Sequence, residues 1–540
     1  MKKLSLIFFI LTFVTSWSQE DAWVYFNAKA NEQAYYSSPL TMLSQRALER
    51  RNKQNIALDF KDIPINPSYI NQVKAVSGIS VMAKSKWLNA LHVRGSVAVL
   101  NSLKSFDFVS KVDFADKSLN TTAKVVAISK SKVESKMTNN RVNFAYGNSE
   151  NQIKMLQGQV LHEQNYTGEG MIIAVLDAGF PGVNTAQPFK RLRDNSKILG
   201  GYDFVNRNAN FYSGNNHGTY VLSSMGGFQE NALVGTAPDA SYYLFITEDT
   251  SEENPVEESY WVEAAEKADS LGVDIINTSL GYLGDHTNPR YNHTYEDMTG
   301  DATFISRGAN IAFSRGMVVV ASAGNDGTEL EPHIGSPADA FSVLTVGAVT
   351  ATKTKANFSS IGPSYDGRVK PEVMAQGHST VLADEKGNII AASGTSFSGP
   401  IMAGMVACLW QAFPNKTNKD IKELIINSAD KLNTPTPEYG YGIPNFSLAL
   451  GLQLPLVEEE DVMNAIHLNP NPTATSVKVT FPQYIKGVNV KFYSATGNIV
   501  LDYKNVISDN PISLESLASG TYIYKLECNS TTKTGKIIKL

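Results

Sequence analysis

The chain has 540 residues, of which 42% are apolar and 18% charged, with a net charge of -5. That length exceeds one compact domain and predicts two to four. The composition excludes wholesale disorder, and the charge excludes an electrostatic case for nucleic acid. Two cysteines, Cys408 and Cys528, exclude a disulfide framework, and Cys408 lies in an apolar run where buried packing is its expected role.

Lys2-Lys3, the apolar run Leu4 to Val14 and the small residues around Ser16 and Ser18 have the form of a secretory signal, with cleavage expected near Ser18 (1–18). The run is too short to span a bilayer. Residues 19–115 alternate like a small α+β unit. Strands are expected at Ala22 to Asn27, Ile79 to Ala83, Ala90 to Arg94 and Val109 to Phe114, with helices at Leu40 to Asn52 and Val97 to Phe106. Residues 116–150 turn to Ser, Lys, Thr and Asn and form an expected linker open to proteolysis.

From 151 to 455 apolar strands alternate with helices. The strands are Met171 to Leu176, Tyr242 to Ile246, Val273 to Ile276, Met317 to Ala321 and Val343 to Val346. The helices are Tyr220 to Met225, Tyr260 to Leu271, Thr303 to Arg315, Ile401 to Phe413 and Lys419 to Ala429. Continuous apolar strands between helices predict an α/β fold, a mostly parallel sheet with helices on both faces, with its site at the carboxyl ends of the strands. An acidic linker (456–464) precedes residues 465–540. Their alternation at Val477 to Phe481, Val488 to Tyr493 and Gly520 to Lys525 predicts an antiparallel β-sandwich.

Polar residues at element ends carry the chemistry. Asp177 ends an apolar strand, His217 opens a helix in His217-Gly218-Thr219, and Ser396 opens another in Gly394-Thr395-Ser396-Phe397-Ser398-Gly399-Pro400. Taken singly, each has an ordinary structural reading, and Ser396 alone reads first as a helix cap. Together they supply a nucleophile, its base and the acid that orients the base. Gly324-Asn325 ends a buried strand, where an amide beside the Ser396 N–H would complete an oxyanion hole.

This constellation resembles the subtilisin-like serine peptidase family. The matching residues, in that family's order, are Asp177, His217 to Thr219, Ser279-Leu280-Gly281, Gly324-Asn325 and Gly394 to Pro400. Gly235 to Pro238, Lys370 to Val373 and Tyr441 to Pro444 support them. The resemblance implies a serine endopeptidase with Asp177, His217 and Ser396 as triad and Asn325 as oxyanion donor. It also implies that Ser279, Leu280, Gly281, Ser322, Ala323 and Gly324 bind the substrate backbone. Peptide hydrolysis through an acyl-enzyme would follow, in a monomer with no required cofactor. An idle scaffold serving as an adhesin, and an esterase, are the competing functions.

One departure is Ala178, where the family usually carries a hydroxyl after the aspartate. Another is the long segment Gly284 to Asp301, which holds His286, His293, Asp285, Glu296, Asp297 and Asp301. It is expected as a solvated loop. Calcium is possible there without an assigned site, and no metal ligand is named. The sequence around Leu280 and 321–325 leans towards apolar or aromatic side chains before the cut.

Residues 19–115 more loosely resemble the propeptide of such peptidases, implying self-cleavage between Ser118 and Asn148. Asn469 to Pro472, Ala495 to Gly497, Ser519 to Tyr522 and the basic end with Lys536 and Lys539 resemble the sorting domain of the type IX secretion system. The implied partners are protein or peptide substrates, the chain's own propeptide and that secretion machinery. Secretion or surface attachment via the periplasm is the implied destination.

Overall fold

A computed structural model describes residues 19–120, 143–451, 466–481, 488–508, 510–528 and 531–540. The expected signal segment, most of the expected cleavage region and the acidic linker lie outside the described residues. The chain divides into two compact units, one ending at Gly451 and the other beginning at Leu452.

The first unit is built on a seven-stranded sheet, in the order Val373–Gln376, Leu344–Val349, Val318–Ser322, Ile275–Thr278, Ile172–Asp177, Ser241–Ile246 and Ile198–Asp203. Every neighbouring pair is parallel. Successive side chains of a strand face opposite ways. Ile173 and Val175 therefore enter one core with Ile401, Met405 and Leu409 of the helix Thr395–Ala412, while Ala174 and Leu176 enter the other with Trp261 and Ile305. Both faces are covered, so the strands read as continuous apolar runs. The two edge strands at Ile198–Asp203 and Val373–Gln376 escaped the sequence reading, one being split by Gly200-Gly201 and the other only four residues long.

The N-terminal subdomain forms an antiparallel sheet in the order Ser80–Ser85, Ala90–Gly95, Glu20–Phe26 and Val109–Phe114. Ala22, Val24 and Phe26 pack inward with Leu91, Val93 and Leu100. Trp23 points the other way, into the core on one face of the seven-stranded sheet. It stacks on Phe304 at 5.1 Å and donates from Nε1 to Ser259 Oγ at 2.8 Å. The expected helix at Leu40 to Asn52 begins only at Gln45, where Ser44 accepts from the Ala47 N–H, and the helix Pro67–Lys74 was not expected. Residues 143–150, within the expected linker, pack on the helix Gln159–Glu163: Tyr146 is buried and its hydroxyl lies 2.8 Å from His162 Nδ1.

The helix Val256–Leu271 starts four residues before its expected position. Glu257, Glu258, Glu263 and Glu266 are all buried along it; Glu257 accepts from the Asp249 and Asn254 N–H groups before the helix, and Glu258 meets His293 and the Ile305 N–H. Glu266 accepts from Ser85 Oγ and from the Lys86 and Trp87 N–H groups.

The second unit has two antiparallel sheets. One holds His467–Asn469, Ser476–Thr480 and Pro511–Ser513; the other holds Ile499–Val506, Val488–Tyr493, Gly520–Cys528 and Thr531–Lys539. Val477, Val479, Val490, Phe492 and Ile537 fill its core, as a sandwich requires. The basic end carrying Lys536 and Lys539 is its last strand, and Asn471 Nδ2 donates to the Lys536 carbonyl at 2.7 Å.

Candidate active site

Asp177 is the last residue of a central strand, His217 the first of the helix His217–Gly226, and Ser396 the second of the helix Thr395–Ala412. The strand end and both helix starts meet at the carboxyl edge of the sheet, where such folds place their sites. Gly218 is required by this meeting, since a Cβ there would lie 2.4 Å from the Gly179 carbonyl and 3.0 Å from Asp177 Cβ.

Asp177 is buried, and its Oδ1 accepts from His217 Nδ1 at 2.8 Å and from the Ala178 N–H at 2.7 Å. Its Oδ2 is buried and has no hydrogen-bond partner. A hydroxyl at position 178 would offer a donor beside it, and alanine offers none. Burial pulls the His217 imidazole down, but the charge and hydrogen bond of Asp177 outweigh it, so its pKa lies above the ordinary 6.5.

Pro400 explains how the nucleophile's turn is held. A proline has no N–H, so the carbonyl of Ser396, four residues earlier, loses its helical donor. Ser279 Oγ takes that place, donating to the Ser396 carbonyl at 3.0 Å. The Ser396 hydroxyl in turn donates to the Ser279 carbonyl at 3.4 Å. Ser322 Oγ donates to the Thr395 carbonyl at 2.8 Å, so both expected substrate-binding strands are pinned to the helix start.

Asn325 Oδ1 accepts from the Thr395 N–H at 2.9 Å and lies 3.0 Å from Thr395 Oγ1. Its amide oxygen is thus occupied, and the NH2 end is left for a ligand. Gly324, with φ +104°, permits this approach: a Cβ there would lie 2.6 Å from Ser360 Oγ.

A cavity of about 170 Å³ opens between the two strands. Ser279, Leu280, Gly281, Ser322, Ala323 and Gly324 all line it, together with Asn325 and Ser396. The sequence reading missed Asp326 there and did not connect Asp285 with it. Burial, and then the charge of Asp285, holds the Asp326 carboxyl above its ordinary range. Two carboxylates on the lining weigh against the apolar preference expected from 321–325.

Two further groups of ligating side chains occur among the described residues. Glu248, Glu253 and Glu257 bring carboxylate oxygens together. Burial raises the pKa of all three carboxyls, and the neighbouring carboxylates add to it. Glu258, His286 and His293 form the other group. Both histidines are buried, so the segment Gly284 to Asp301 is not the wholly solvated loop expected.

Comparisons with known proteins agree with this architecture. A profile of the Subtilase family matches residues 168–443. A Peptidase S8 propeptide domain of Bacteroidota matches 21–134, running past the strand that ends at Phe114. A secretion system C-terminal sorting domain matches 467–540. The chain is 31% identical over 300 residues to Subtilisin NAT of Bacillus subtilis subsp. natto, covering 55% of this chain and 70% of the relative. It is 31% identical over 316 residues to Serine protease AprX of Bacillus subtilis (strain 168), covering 53% and 67%. An Alkaline protease of Alkalihalobacillus alcalophilus is 24% identical over 418 residues, covering 77% and 94%.

The sorting domain indicates export by the type IX system, to secretion or surface attachment, and no helix among the described residues is long and apolar enough to cross a membrane. With its parallel sheet, its N-terminal propeptide domain and these matches, the chain belongs to the subtilase family and is a subtilisin-like serine endopeptidase.

Proposed function

We propose that the exported enzyme cuts peptide bonds through an acyl-enzyme on Ser396. The carrying observation is the 2.8 Å contact between His217 Nδ1 and a buried Asp177, with the ring of Phe397, the residue after Ser396 at the start of a long helix, 6.0 Å from the imidazole. Asp177 fixes the tautomer that leaves His217 Nε2 unprotonated and able to take the Ser396 proton. The hydroxyl, now turned to the Ser279 carbonyl, rotates towards Nε2 when substrate enters. The tetrahedral oxyanion is met by the Ser396 N–H at the positive end of the helix and by Asn325 Nδ2. The substrate backbone pairs as an added strand between Ser279–Gly281 and Ser322–Gly324. No cofactor enters these steps.

A fluorophosphonate probe should label Ser396 in the processed enzyme, and casein should be degraded. Absence of label would leave an idle scaffold, and label without casein hydrolysis would leave an esterase. The propeptide domain acts as the chain's own inhibitor until the segment after Ser118 is cut.

Activity should rise with pH as His217 loses its proton. The acid limb of kcat/KM is therefore expected above pH 6.5, because the folded imidazole's pKa is raised. Asp177→Asn should move that limb downward and lower kcat by about ten-thousand-fold, as loss of the orienting acid does in other serine peptidases. A limb unmoved by the substitution would remove Asp177 from this role.

Asp285 and Asp326 should favour Lys or Arg before the cut. The double variant Asp285→Asn/Asp326→Asn should lower kcat/KM for lysyl peptides about five- to tenfold and leave phenylalanyl peptides unchanged. A part-exposed charge pair is worth roughly 1 kcal/mol. Equal losses on both peptides would exclude a charge effect.

A further inference from the structure

The connection from the strand Ile275–Thr278 to the helix Phe304–Ser314 buries two imidazoles. His286 is 5% exposed, yet neither Nδ1 nor Nε2 has a hydrogen-bond partner. His293 is 8% exposed and its Nδ1 is also unpartnered. A buried polar atom without a partner costs about 1–3 kcal/mol, so His286, with both ring nitrogens unpartnered, calls for a ligand that one of them can hold.

His293 Nε2 lies 2.8 Å from Glu258 Oε1, and the ligating atoms of Glu258, His286 and His293 are all within 4.8 Å of one another. The imidazole planes stand at 85° with centroids 5.6 Å apart, so the rings converge on a shared space without stacking. Glu258, fully buried in the first turn of its helix, accepts from the Ile305 N–H at 3.0 Å through its other oxygen. Such a contact orients a carboxylate ligand from behind.

We propose that Glu258, His286 and His293 bind one divalent transition-metal ion, with zinc the best fit. Two imidazoles and one carboxylate suit zinc, whereas calcium takes oxygen ligands. Zinc bonds of about 2.0–2.1 Å set tetrahedral ligands about 3.3 Å apart, so binding opens the His293–Glu258 contact by about half an ångström.

The ion joins parts that matter to the cleft. Glu258 belongs to the central covering helix, while the same connection carries Tyr282, Leu283 and Asp285 on the cavity lining. Between the two histidines, Arg290 pairs with Glu20 and Asp116, and the Tyr291 hydroxyl donates to Glu20 at 3.0 Å. One metal clamp thus steadies both the pocket wall and the seat of the propeptide domain.

The full-length Ser396→Ala chain, which should not digest itself, is stripped with a chelator and titrated with Zn2+ against a chromophoric competitor. One ion per chain is expected, with a rise in Tm. Glu258→Gln, His286→Asn and His293→Asn should each weaken affinity at least a hundredfold and abolish the Tm rise. Co2+ in the same unsubstituted chain should give intense tetrahedral d–d bands, a readout independent of how the variants fold. Substoichiometric Zn2+ at micromolar free ion, binding unaffected by the three substitutions, or a weak octahedral Co2+ spectrum would each overturn the site.

Discussion

Ser396→Ala should lower kcat about a million-fold, a magnitude carried over from subtilisin, a relative of this chain, where loss of the nucleophile has that effect. Folding should survive the change. Ser396 is only partly buried, and its hydroxyl makes one long hydrogen bond, 3.4 Å to the Ser279 carbonyl. A typical hydrogen bond contributes about 1 kcal/mol net, so Tm should move by little. The purified variant should also remain full length, because the proposed cut between propeptide and enzyme uses the same serine. Trimming at the wild-type rate in a purified system would show that another protease makes that cut. The residual activity should reflect the oxyanion donors and substrate binding, which the substitution leaves in place.

Arg51→Ala should loosen the propeptide domain by about 3–5 kcal/mol, the cost of breaking a buried ion pair from one side. Arg51 is 1% exposed and joins Asp62 of its own subdomain, at 2.7 and 3.0 Å, to Asp269 of the helix Val256–Leu271 at 2.6 Å. Arg50 reaches the other oxygen of Asp269 at 2.5 Å, and Arg46 pairs with Asp274 at 2.7 Å. Removing the Arg51 guanidinium leaves Asp62 only the longer contact to Arg315, at 3.6 Å, and halves the charge compensation of Asp269.

Hydrogen exchange on the Ser396→Ala chain should report this as faster opening of the strand Glu20–Phe26, with the central strand Ile172–Asp177 unaffected. Equal acceleration in both would mean that the pair stabilises the whole unit and not the junction. Burial tends to raise the Asp269 carboxyl, but Arg51 and Arg50 bring it below its ordinary 3.8. Its contribution is therefore present above pH 3.8 and lost as pH falls through the lowered value. Acid in the range 4 to 6 should leave this part of the junction intact.

The element pattern of the catalytic unit was legible where one principle acted alone. Strands covered on both faces must be apolar throughout, so Met171 to Leu176 and Met317 to Ala321 stood out. Elements with competing demands did not. The start of the helix Val256–Leu271 was hidden because its first turn carries Glu257 and Glu258, which periodicity assigns to solvent. They are buried against the Asp249 and Asn254 N–H groups before the helix and against His293 and the Ile305 N–H.

Family, fold class and candidate residues are all legible in the order of residues along the chain. Each of Asp177, His217, Asn325 and Ser396 must sit at the end of an element, and a short motif records that local geometry. Only the tertiary structure decided what those ends share with distant residues. The Ser279 hydroxyl replaces the hydrogen bond that Pro400 removes, Asp285 and Asp326 come to the cavity, and His286 and His293 turn inward to Glu258. Ser279 and Ser396 lie 117 residues apart and Glu258 and His293 35 apart, and of these partners only His286 and His293 are near in the chain. Local sequence carries no record of such a meeting, because it arises from how the sheet and its covering layers close on one another.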